Sequence, residues 1–146
     1  MKTDYKAKVI AVDFDGTIAY DAWPVVTGQT TSNRVVIDWL KKRQSMGDTI
    51  ILWTCRENFG GHRFPDREYR NEALQFCTRN GLFFSNVNAN DGEVGYEPTK
   101  FGRKILADVY LDDKALPFTR SNLCWKVYLW LIDRKLKKLD DARSKE

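Results

Sequence analysis

At 146 residues, with 42% hydrophobic and 30% charged side chains, the chain suits one packed domain and excludes wholesale disorder. Its one histidine, His62, excludes a histidine-built zinc site and a Ser-His-Asp triad, so any chemistry runs on carboxylates, lysines, arginines and hydroxyls. The net charge of +4 is weak support for an anionic partner. The basic excess at 126–146 reads first as a solvated helix face. The longest apolar runs, 9–12 and 50–53, are too short to span a bilayer, and acids interrupt the N-terminal stretch, so neither a membrane span nor a secretory signal is expected. Cys55, Cys77 and Cys124 are odd in number and lack metal-ligand spacing, which points to reduced thiols and a cytoplasmic protein.

The first predicted strand, 8–14, is nearly continuously apolar, as a buried parallel strand is, and Asp15-Gly16-Thr17 breaks it. A Pro/Gly/Thr-rich loop follows at 20–31. Ser32 or Asn33 then caps a helix running to about Met46, with Val35, Val36, Trp39 and Leu40 on one face and Gly47 as its stop. A second strand covers 49–53, a polar loop 54–65, and a second helix about 66–79, closed by Asn80-Gly81. The third strand is 82–87, an irregular crossover fills 88–104, and the fourth strand is 107–111. A long amphipathic helix over about 120–140 ends the chain. Its aromatic stripe, Trp125, Tyr128, Leu129 and Ile132, has the spacing of core packing.

Strands alternating with helices predict an α/β fold: a three-layer α/β/α sandwich with a parallel, Rossmann-like sheet in a single domain over 1–146, its core at about 8–117. In such sheets functional groups collect beyond the carboxyl ends of the strands. The four strands end in Asp13-Phe14-Asp15-Gly16-Thr17, Thr54-Cys55-Arg56, Asn86-Val87-Asn88 and Asp112-Asp113-Lys114. Each apolar run delivers polar groups to one edge. There Asp13/Asp15 and Asp112/Asp113 converge, and two like charges about 4 Å apart repel by roughly 4 kcal/mol at an effective dielectric near 20. Four carboxylates need a cation or shared protons, and an all-oxygen set favours Mg²⁺, the usual ion of phosphate chemistry. Gly16 lets the following backbone turn its N–H groups toward an anion, Thr54 offers a hydroxyl, and Arg56 a guanidinium fork. Asn86, Asn88 and Asn90 read as loop formers, and His62 as a loop residue.

VIAVDFDGT at 9–17, IILWTCRE at 50–57 and DVYLDDKA at 108–115 resemble motifs I, II and IV of the haloacid-dehalogenase (HAD) superfamily of phosphohydrolases, over roughly residues 8–117. The chain is similar to small bacterial and phage members, with some likeness to the phosphatase domain of polynucleotide kinase-phosphatases. The resemblance implies an aspartyl-phosphate mechanism in which Asp13 is the nucleophile and Asp15 the general acid and base. It implies Mg²⁺ held by Asp13, the backbone carbonyl of Asp15 and one acid of the late pair. Asp113 is the preferred direct ligand, with Asp112 on a metal-bound water. Thr54 would bind the transferring phosphoryl group and Arg56 the phosphate or substrate. The family's bridging lysine is Lys100 or Lys104, with Lys100 preferred for its place after Glu97-Pro98-Thr99.

The loops 19–31 and 88–106 are too short to fold as cap domains, so an open, capless site is expected. It would suit a bulky phosphorylated substrate such as a phosphoprotein or a nucleic-acid end, with Arg34, Arg56, Arg63, Arg67 and Arg70 as candidates to flank its mouth. A binding or scaffold protein that keeps the fold without useful catalysis is the competing reading. No oligomeric state follows from the sequence.

Overall fold

The computed structural model describes residues 5–20, 31–58, 67–90, 92, 104–115, 121–143 and 145. In chain order they form β1 (Val9–Val12), α1 (Arg34–Ser45), β2 (Thr49–Leu52), α2 (Tyr69–Arg79), β3 (Asn86–Val87), β4 (Val109–Leu111) and α3 (Asn122–Arg143). The strands make a parallel sheet in the order β3-β2-β1-β4. The described residues therefore form an α/β fold with a four-stranded parallel sheet and three helices, consistent with a Rossmann-like arrangement, the three helices sharing one face of the sheet.

Alternation along the strands decides what each face meets. Ile10, Val12, Ile50, Leu52, Val109 and Leu111 point to one side, where they share a continuous core with α1, α2 and α3. Ala11 and Ile51 point to the other, where Ile105 joins them and Val9, Ala107 and Tyr110 pack alongside. The small Ala11 of central β1 leaves room for the flanking Trp53 and Tyr110 rings to meet, 5.4 Å apart. The aromatic stripe of α3 is core: Trp125, Leu129 and Ile132 are buried, and Tyr128 packs partly buried against them.

The ends of the elements have identifiable causes. Asn33 caps α1, its side chain accepting from the Val36 N–H, and Gly47 follows at φ +91°. Glu68 gives α2 no side-chain cap; Asn58, ten residues upstream, does so instead, its Oδ1 accepting from the N–H groups of Arg70 and Asn71 at 3.1 and 3.3 Å. The last turn of α3 runs past the predicted 140 to Arg143, whose guanidinium lies 3.2 Å from Asp108. At the amino end of the sheet, buried Lys8 pairs with Asp140, and Arg43 with Asp48 at 2.5 Å. The three cysteines are free thiols. Among the described residues no helix is long and apolar enough to cross a membrane.

Candidate functional site

Strand register dictates the first feature of the site. Val12 stands opposite Leu111, so the residues that follow, Asp13 and Asp112, emerge side by side, and the Asp13 N–H donates to the Leu111 carbonyl at 2.8 Å. Like charges facing each other across neighbouring strands oppose the pairing. Buried Asp113 opens a 3-10 turn, Asp113–Ala115, and completes a trio. Asp13, Asp112 and Asp113 each bring a carboxylate oxygen within 4.8 Å of the others. Desolvation foremost, then the charges of Asp112, Asp15 and Asp113, push Asp13 up to about 7 against the pull of the Phe14 N–H. Lys114 stands 3.3 Å from Asp113, but its side chain is 76% exposed, so water screens it from the trio. Three carboxylate oxygens this close together could hold a small divalent cation.

The loop after β1 is braced by its own backbone. The Phe14 carbonyl accepts from the N–H groups of Thr17, Ile18 and Ala19, and the Gly16 N–H donates to the Ala19 carbonyl at 2.7 Å. This corrects the role expected of Gly16. Its φ of +81° makes the turn possible, but the N–H groups of Gly16 and of residues 17–19 close the loop on itself rather than facing an anion. Fully buried Thr17 ties the two acidic segments together, its Oγ1 accepting from the Asp113 N–H at 2.9 Å. Asn33 Nδ2 in turn donates to the Thr17 carbonyl, so the N-cap of α1 also holds the loop.

Asp15 is oriented by Arg56. The guanidinium donates through Nε to one carboxylate oxygen at 2.9 Å and through Nη2 to the other at 2.6 Å. Arg56 is fully buried and lies 5.0 Å from the centroid of the Phe14 ring, while the Asp15 side chain keeps 28% exposure. The fork expected to meet phosphate or substrate is instead turned inward, because burial of a guanidinium demands a carboxylate partner and Asp15 supplies both oxygens. Arg56 is thus a positioning residue for Asp15.

Thr54, also buried, lies two residues beyond β2 under a clasp that sequence reasoning missed. The Asn88 side chain accepts from the Thr54 N–H and donates to the Thr54 carbonyl, both at 2.8 Å, with Glu57 Oε1 3.1 Å from the same Nδ2. Asn88 adopts φ +52°, a left-handed conformation that asparagine tolerates better than most residues. That tolerance, directly after an apolar strand, was the available signal. Asn86 and Asn90 build the loop as expected: Asn86 Nδ2 donates to the Asn90 carbonyl, and Asn90 Oδ1 accepts from the Leu106 N–H.

Of the remaining candidates, Lys100, His62 and Arg63 lie outside the described residues. Lys104 is exposed, its ammonium 5.7 Å from the Tyr110 ring centroid. Arg34 is exposed at the start of α1. Arg67 grips Glu72 with two hydrogen bonds of 2.6 and 2.9 Å, and Arg70 faces Glu57 at 3.4 Å. Three of the five arginines considered for the mouth therefore face carboxylates.

No family model matches the chain, and neither does any curated protein. A solved structure, that of the conserved protein coded by locus from Bacteroides thetaiotaomicron, is similar to it, with a TM-score of 0.67 and 30% identity over 89% of this chain and 93% of that one. The chain belongs to the family of that conserved protein. Membership accounts for the shared fold, and the chemistry has to be argued from the side chains.

Proposed function

We propose that the protein is a Mg²⁺-dependent phosphomonoester hydrolase of the HAD type, working through an aspartyl-phosphate on Asp13. The observation that carries this reading is the convergence of Asp13, Asp112 and Asp113 at the carboxyl ends of adjacent strands, with Asp15 held alongside by Arg56. On this reading the core is a three-layer α/β/α sandwich with no cap domain, in a cytoplasmic protein whose thiols stay reduced.

Asp13 and Asp113, with the Asp15 backbone carbonyl, would hold the ion, and Asp112 would orient a water on it. When bound, the ion supplies positive charge that offsets the phosphoryl oxygens and the acidic trio alike. Asp13, its proton lost to solvent, attacks phosphorus, and the bond to the leaving oxygen breaks as Asp15, protonated beforehand from the solvent its side chain still meets, gives that oxygen the proton. Asp15, again a carboxylate against Arg56, then takes a proton from the water that attacks phosphorus and releases phosphate from Asp13. The Thr54 hydroxyl donates to a phosphoryl oxygen, in a position fixed by the Asn88 clasp. The bridging lysine remains Lys100 or Lys104.

A generic aryl phosphate should be hydrolysed in Mg²⁺, with turnover lost on chelation and in Asp13→Asn. Undiminished hydrolysis by that variant would defeat the mechanism. A preference for nucleic-acid ends gains no support from Arg56, Arg67 and Arg70, which already face carboxylates.

A further inference from the structure

The late acidic pair stands on a short support. β4 has three residues, Val109–Leu111, and pairs through one edge with β1, against the repulsion between Asp13 and Asp112. Carbonyls along a parallel strand alternate between its two edges. The Leu111 carbonyl accepts from the Asp13 N–H and so faces β1, which turns the Tyr110 carbonyl to the opposite edge. Among the described residues no further strand lies beyond that edge, and a partly buried edge carbonyl needs a donor from elsewhere.

That donor comes from α3. The Tyr128 hydroxyl donates to the Tyr110 carbonyl at 3.4 Å, two residues before Asp112. Its approach is set by packing: the Tyr128 ring is partly buried, 6.0 Å from that of Trp125, and Trp125 and Leu129 share one core with Val109 and Leu111 of β4. On the other face of the sheet the Tyr110 ring leans on Trp53, and its own hydroxyl donates to the Ile105 carbonyl. Tyr110 is thus held through both backbone and ring, and Asp112 emerges from the strand end it fixes. Burial, then the charge of Asp112, raise the Tyr128 hydroxyl above its ordinary value of 10, so it stays a donor within electrostatic reach of the acidic trio.

We propose that Tyr128 is a positioning residue for the cation site: its hydroxyl holds the outer edge of β4, so that Asp112 and Asp113 stay close to Asp13 although the carboxylates repel. The inference rests on the phosphatase reading above through the ion that the trio would hold, and it gives α3 a part in the site. Without the hydroxyl the end of β4 relieves the repulsion by moving outward. The ion then loses affinity while every carboxylate is still present.

The test is a Mn²⁺ titration of the full chain without substrate, the free ion being counted by electron paramagnetic resonance. Tyr128→Phe keeps the ring and its packing and should raise the Kd about threefold, in the lower range for a neutral hydrogen bond of this length. With aryl phosphate as substrate, the half-saturating Mg²⁺ concentration should rise by the same factor, while kcat at saturating Mg²⁺ stays within about twofold of the wild type. Leu129→Val trims the buried face of α3 without touching the hydroxyl, so it should lower the melting temperature and leave the Kd unchanged. Equal Kd values for the wild type and Tyr128→Phe, the same rise in Leu129→Val, a loss of kcat that Mg²⁺ does not restore, or a wild type that binds no Mn²⁺ would overturn the proposal. If no phosphoester is hydrolysed but Tyr128→Phe alone weakens Mn²⁺ binding, the phosphatase reading fails and Tyr128 keeps its role. If aryl phosphate is hydrolysed but the two proteins bind Mn²⁺ equally, the phosphatase reading stands and the proposal for Tyr128 fails.

Discussion

Replacing Arg56 by methionine removes a buried charge while keeping most of its volume against Phe14. Breaking a buried ion pair from one side costs about 3–5 kcal/mol, because the remaining partner is left desolvated. Here that partner is Asp15, whose side chain keeps 28% exposure, so water takes over part of the loss and the lower end, about 3 kcal/mol, applies. For a domain of this length each kcal/mol moves the melting temperature by about 4 °C, so Arg56→Met should melt about 12 °C below the wild type. The assay is thermal unfolding by circular dichroism in chelator, where no metal contributes. Asp15→Asn leaves Arg56 buried with a weaker acceptor and should also destabilise, whereas the double variant should recover at least about 2 kcal/mol relative to the sum of the singles. Arg56→Lys should not restore stability, since an ammonium lacks the planar fork that meets both Asp15 oxygens. If Arg56→Met melts within about 2 °C of the wild type, or the two single effects add, the pair does not hold Asp15 in the way the geometry indicates.

The acidic trio and the Asn88 clasp each carry a further prediction. Asp13 stands near 7 in the fold against 3.8 for an ordinary aspartate, so between those values the folded chain keeps a proton that the unfolded chain releases. Stability in chelator should therefore fall as pH rises from about 4 to 7, and Asp13→Asn should flatten that slope; identical melting profiles for the two proteins would exclude the shift. Asn88→Ala deletes both hydrogen bonds to the Thr54 backbone, each worth about 1 kcal/mol, and should reduce kcat at least tenfold. Asn88→Gly relieves the φ of +52° and should regain stability without regaining kcat. Full activity in either Asn88 variant would show that the clasp does not position Thr54.

The sheet and the meeting of the acids were legible because both depend on patterns that survive in one dimension. Four apolar runs, each followed by polar residues, place Asp13 and Asp112 at one edge whatever the details of packing. Less visible were the points where a side chain replaces a strand's hydrogen bond. The third strand was expected over 82–87, yet the Leu82 N–H turns to the Cys77 carbonyl and the Phe83 N–H to Gln44 Oε1, so regular pairing is confined to Asn86–Val87. The first strand starts at Val9, the Lys8 N–H having gone to Asp48 Oδ1, and stops at Val12 because Phe14 already belongs to the loop. Arg56 was legible as a site residue and not as Asp15's partner, since spacing along a chain does not record which way a guanidinium turns. Asn88 looked like any loop asparagine until the opposite strand end supplied Thr54.

The bond between Thr17 and Asp113 spans 96 positions and lies beside the β1–β4 pairing. Central β1 is made early in synthesis, but its neighbour on that side is among the last parts of the sheet to be made. Contacts of this range slow folding because the loop must close before any pairing offsets the lost entropy. The repulsion among Asp13, Asp112 and Asp113 therefore falls on the final docking of β4 and on no earlier stage. A nascent chain ending before residue 109 carries Asp13 and Asp15 without the two carboxylates that complete the acidic trio, so under the proposed mechanism a chain without β4 should show neither cation binding nor phosphatase activity.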